Sequence, residues 1–148
     1  MVIVDANVLL YAVDTASRHH EAALAWLDDA LAGTEAVGLA WVVLLGFVRL
    51  ATSSTVFPHP LSTDDACGQL EAWLEAPAAV VAQPTPRHPS LLGGLLRDAG
   101  TAGNLTTDAH LAALALEHGA DIVSYDRDFA RFPGVKHRLP GSAPPARS

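Results

Sequence analysis

The chain opens on three consecutive β-branched residues, Val2-Ile3-Val4, that run straight into Asp5. A short apolar run without polar alternation predicts a strand buried on both faces, the pattern of a parallel sheet. Asn7 to Val13 then takes helical spacing. From Ser17 to Leu31 the residues Ala23, Leu24, Leu27, Ala30 and Leu31 form one apolar stripe opposite Glu21, Asp28 and Asp29, which predicts an amphipathic helix stopped by Gly33. Val37–Leu39 reads as a short strand or turn leading into a helix through Ala51 that is apolar on nearly every face. Two prolines and a serine pair make residues 53–60 a loop.

Ser62 is placed to cap the next helix, with Asp64 and Asp65 in its first turn. Ala79–Ala82 reads as a strand, Pro84 and Pro86 introduce a helix through Ala99, and Gly100 and Gly103 end it. Thr106 or Thr107 is the expected cap for a helix over Asp108–His118, with Gly119 as its stop, and Asp121–Tyr125 is a further strand ending at Asp126. Short strands alternating with helices imply right-handed crossovers and an α/β fold, a central short and mostly parallel sheet flanked by helices. One domain over residues 1–139 is expected, followed by a Pro/Gly/Ser/Ala-rich flexible tail at 140–148.

At 148 residues, half of them apolar, the chain can bury a core without disulfides. The lone Cys67 has no bridging partner and reads as a packed helix residue. No export signal and no bilayer-spanning stretch stand out, so an unexported, cytoplasmic protein is expected. A net charge of −7 argues against a general nucleic-acid binder. Arg127, Arg131, Lys136, His137 and Arg138 nevertheless crowd one segment, where Arg127, Arg131, Lys136 and Arg138 read as phosphate-holding cations or as a solvated basic loop.

The candidate chemistry lies in three acids at element boundaries: Asp5 and Asp126 after strands, and Asp108 in the opening turn of a helix. In open α/β sheets ligands bind at the carboxyl ends of the strands, so the three can share one rim. Gathered together, they would repel unless a cation sat among them, and hard oxygen donors suit Mg2+ or Mn2+. Each is equally an ordinary helix cap when taken alone. Asn7 and Thr107 are candidates to orient the acids, Asp128 is an auxiliary acid or a solvated one, and Arg49 is a cation that can meet the rim or the substrate. His19 and His20 read as exposed, and His110 as pointing away from Asp108.

These residues carry a family resemblance. Met1-Val-Ile-Val-Asp-Ala-Asn-Val-Leu-Leu-Tyr11, Gly103-Asn-Leu-Thr-Thr-Asp-Ala-His-Leu-Ala-Ala-Leu-Ala115 and Asp121-Ile-Val-Ser-Tyr-Asp-Arg-Asp-Phe129 resemble, in order and separation, the three motifs of PIN domains, above all VapC-like toxins. The resemblance implies a PIN fold and Mg2+- or Mn2+-dependent endoribonuclease activity on RNA, with Asp5, Asp108 and Asp126 as metal-site and catalytic acids. It also implies frequent homodimerisation and inhibition by a cognate, VapB-like antitoxin. One departure stands out: the helix after the second strand carries Gly46 where such nucleases commonly have Glu. That departure implies a lower site charge, with Glu117, Glu21 or Asp128 as candidates to compensate, or a catalytically weakened protein that binds RNA or a partner. Gly46 also reads as a small residue that permits close helix packing. A strand-end phospho-acceptor is disfavoured, because Asn7 stands where a second Asp is wanted.

Overall fold

A computed structural model of the chain describes residues 1–142; the end of the expected tail, 143–148, lies outside them. Five parallel strands are arranged in the order β3-β2-β1-β4-β5: β1 Val2–Val4, β2 Val37–Leu39, β3 Ala79–Val81, β4 Asp121–Val123 and β5 His137–Arg138. The helices are α1 Ala6–Val13, α2 His20–Leu31, α3 Trp41–Ala51, α4 Thr63–Glu75, α5 His88–Ala99 and α6 Thr106–His118. β1 is central and wholly buried, as its uninterrupted apolar run requires. Gly38 lets β2 lie close to β1, since a Cβ there would come within 3.2 Å of the Val2 carbonyl oxygen and 3.0 Å of Ile3 Cγ1. On α3 and α4, Phe47 and Trp73 meet edge to face at 4.7 Å and anchor that layer of the core.

The chain lays down β1, β2 and β3 in one direction and then crosses to the other side of β1 for β4. The order therefore reverses between β1 and β4, and the crevice beyond their carboxyl ends is the topological switch point of the sheet.

Several local expectations are corrected. α2 begins at His20, because residues 14–19 are tied in turns, with Ala16 N–H donating to Asp14 Oδ1 and His19 N–H to Ser17 Oγ. A 3-10 helix at Gly103–Leu105 leads directly into α6, so Leu105 occupies the cap and neither Thr106 nor Thr107 caps through its side chain. β4 stops at Val123. The basic segment contains β5, a strand without an apolar run, which is held by pairing Ile122 with His137 and Val123 with Arg138. Cys67 is exposed on α4. Nothing lies within 4 Å of a Cβ built on Gly46, so close packing does not explain that glycine.

Candidate active site

Asp5 closes β1 with its N–H on the Val123 carbonyl oxygen, and its side chain caps α1, Oδ1 accepting from Ala6 N at 2.7 Å. Its other oxygen accepts from Ser124 Oγ at 2.7 Å and from Asn7 Nδ2 at 3.3 Å. Ser124 is fully buried, and its Oγ in turn accepts from Asn7 Nδ2 at 3.0 Å and from Asp126 N at 2.9 Å. Asn7 completes the clamp by accepting from Tyr125 N at 3.1 Å. The hydroxyl of Ser124 thus uses its one proton and both lone pairs to lock the end of β1 to the end of β4. Ser124→Ala is expected to lower stability by about 1–3 kcal/mol, since three polar groups lose a buried partner; a urea melt reads this as a lower midpoint.

Asp126 follows β4, and its Oδ1 accepts from Asp128 N at 2.9 Å, opening a 3-10 helix at Arg127–Arg131. Asp108 sits half-buried in the first turn of α6. Burial first, then the charges of Asp5, Asp126 and Asp128, push its carboxyl up to about 6, with Arg131 partly offsetting them. Asp5 is also raised, because burial and Asp126 outweigh the hydrogen bonds from Ser124 and Ala6 and the pull of His137. Four acids therefore share one electrostatic neighbourhood at the switch point.

Among the described residues no three His, Cys, Asp or Glu side chains close into a ready-made ligand shell. Mg2+ does not require one, since it usually keeps several waters and is held through one or two carboxylates. An oxygen-only donor set under mutual repulsion fits such an ion or Mn2+.

The remaining candidates divide. Thr107 is exposed and makes no side-chain hydrogen bond among the described residues. Arg49, also exposed, forms no ion pair among them, and it stands in the last turn of α3, roughly 12 Å along the helix from Trp41. Arg127 and Arg131 lie in the segment that Asp126 opens. Arg138 does not join the rim: it pairs with Glu35 at 3.0 Å and Asp121 at 3.4 Å, at the amino ends of the strands. Lys136 lines a cavity there with Glu35 and Asp121.

Glu117 is no substitute for the acid missing at position 46. Its side chain is sealed from solvent, accepts from Thr85 N (3.0 Å) and Thr85 Oγ1 (2.6 Å), and faces His88 Nδ1 at 2.8 Å. His88 continues to His110, Nε2 to Nδ1, at 2.8 Å. Glu21 is exposed on α2. His19 and His20 are half-buried, His20 Nδ1 lying 2.9 Å from the Tyr11 carbonyl oxygen, where exposed side chains were expected.

A family model of the PIN domain matches residues 2–135. Ribonuclease VapC37 of Mycobacterium tuberculosis is 58% identical over 140 residues, covering 95% of this chain and 97% of that protein. Ribonuclease VapC33 of the same species is 45% identical over 136 residues, covering 92% and 95%. The crystal structure of VapBC2 from Rickettsia felis bound to a DNA fragment from their promoter shares the fold, with a TM-score of 0.66 at 17% identity, covering 94% of this chain and 98% of that one. The chain belongs to the PIN-domain family, and within it to the VapC ribonucleases.

Proposed function

We propose that the protein is a divalent-metal-dependent endoribonuclease, the toxin of a toxin–antitoxin pair, cutting RNA phosphodiester bonds in the cytoplasm at the rim beyond β1 and β4. The observation that carries this reading is the carboxyl of Asp108, driven up to about 6 with Asp5, Asp126 and Asp128 among the causes. A fold that keeps uncompensated carboxylates together is built to receive a cation. Asp5, Asp108 and Asp126 would hold Mg2+ or Mn2+, which when bound supplies an activated water and neutralises charge building on the phosphate. Ser124 and Asn7 fix the carboxylate of Asp5 so that it presents one orientation. Arg127 and Arg131 are the cations available to position the RNA backbone, without sequence preference.

The same reading gives the chain a VapB-like antitoxin and self-association as a homodimer. Exposed apolar side chains at the start of α3, namely Trp41 (46%), Val42 (36%) and Leu45 (62%), support a partner surface.

Purified protein incubated with structured RNAs and Mg2+ or Mn2+ should cleave them, and EDTA and Asp5→Asn should each abolish cleavage. Cleavage that survives both would overturn the mechanism. A Cβ at position 46 meets nothing within 4 Å, and Gly46→Glu gains about 1 kcal/mol of helix propensity. It is expected to lower the Mg2+ concentration giving half-maximal cleavage by about tenfold, since one more oxygen donor joins the site. A metal titration of both proteins checks this.

A further inference from the structure

Beside the acids lies a cluster of rings that the proposed chemistry leaves unused. His19 stacks on Tyr125 with centroids 4.3 Å apart and planes at 29°. Tyr11 lies 5.1 Å from His19 and meets Tyr125 edge to face at 5.3 Å. The cluster hangs on the elements that carry the acids. Tyr125 is the residue between Ser124 and Asp126, and its N–H is held by Asn7; Tyr11 is on α1, the helix that Asp5 caps.

The backbone that carries the imidazole is held in place by its surroundings. Ser17 Oγ accepts from His19 N at 3.1 Å, and the neighbouring His20 ring is bonded to the Tyr11 carbonyl oxygen. All three rings are only half-buried, and the exposed Arg18 approaches His19 with its Nε 3.4 Å from the imidazole Nε2. The Tyr125 hydroxyl is buried with no hydrogen-bond partner among the described residues, an orphan that a cluster serving the core alone would seldom keep.

We infer that the face of His19, backed by Tyr125 and Tyr11 and flanked by Arg18, is a stacking subsite for one nucleobase of the RNA next to the bond being cut, an inference that rests on the ribonuclease reading. Single-stranded RNA is recognised by bases splayed onto aromatic, His or Arg planes, and every base offers such a face. Here the His19 plane is stacked on Tyr125, the residue next to Asp126, and an exposed guanidinium beside it can meet the phosphate of the same nucleotide. His19 is thereby a substrate-positioning residue that accepts any base, and Asp5, Asp108 and Asp126 keep the chemistry.

The test uses the full chain and single-stranded oligoribonucleotides in which one base at a time is replaced by 2-aminopurine, whose fluorescence is quenched on stacking. Binding is measured in EDTA, so that it does not depend on cleavage. The wild type should quench the probe at one position. His19→Leu, which keeps bulk but no π face, should lose the quench and bind about tenfold more weakly, the lower end of what a stacked base contributes. His19→Phe should restore both, and melting curves of each variant report the fold. A wild type that quenches at no position, or a His19→Leu protein that binds and quenches unchanged, overturns the subsite. Adding Mg2+ to the same oligonucleotides reports on the parent reading separately: a protein that stacks the base and cuts no RNA keeps the subsite and loses the nuclease.

Discussion

Asp108→Asn is expected to abolish RNA cleavage and, in the same protein, to raise the melting temperature. The first half follows from its place among the acids. Losing an outer-shell partner of a metal site typically costs 10–100-fold, so removing a carboxylate of the site itself should cost at least about a hundredfold. The second half follows from the cost of holding that carboxylate charged. Its folded pKa, about 6, is raised above the ordinary 3.8, so the stability linked to its proton is fully present below about pH 3.8 and lost as pH rises through 6. At pH 7.5 the wild type carries the charge against burial and three other acids, and the amide does not.

Asp108 is half-exposed, so solvent screening leaves a gain of roughly 1 kcal/mol, or about 2–4 °C for a chain of this size. The comparison belongs in metal-free buffer. Adding Mg2+ should then raise the melting temperature of the wild type and leave the variant nearly unmoved, because an ion that binds only the folded site stabilises it by mass action. A variant that melts lower than the wild type without metal would contradict the crowding of acids at the rim.

What the sequence disclosed was whatever local pattern determines. Val2–Val4 reads as a buried strand because nothing polar interrupts it, and Gly100 and Gly119 read as helix stops because each ends its helix with a positive φ, at 75° and 61°. Asp5 and Asp126 could be singled out because each directly follows a strand run. Ser124 could not: its bond to Asp5 spans 119 positions, and only the pairing of β4 with β1 makes it a keystone rather than one more serine. The one available signal was its place two residues before Asp126. β5 was illegible for a related reason, since His137 and Arg138 have no apolar signature and become a strand through partners at Ile122, Val123, Glu35 and Asp121. Thr106 and Thr107 have the right chemistry for a cap, yet the preceding 3-10 turn delivers Leu105 there.

Glu117→Ala is expected to cost about 3 kcal/mol, the scale for removing one partner of a buried, hydrogen-bonded pair. The carboxylate takes two bonds from Thr85 and one from His88, joining α6 to the entrance of α5, and no water reaches it to compensate. Burial alone would raise its pKa, but those bonds and the His88 contact outweigh burial and hold it below the ordinary 4.5. A depressed folded pKa contributes stability above the unfolded value and loses it as pH falls through the folded one, so this contribution fades in acid below about pH 4.5. Asp108 works the other way between about pH 6 and 4. The two opposing carboxylates predict a stability maximum on the weakly acid side of neutrality, and in Glu117→Ala the loss on the acid side of that maximum becomes shallower. Urea melts from below pH 4 up to pH 8 measure both. The same variant decides whether Glu117 replaces the acid absent at position 46: as a metal ligand it would lose cleavage with little change in stability, whereas as the clamp between α5 and α6 it loses stability and, in the cold where it remains folded, still cuts RNA.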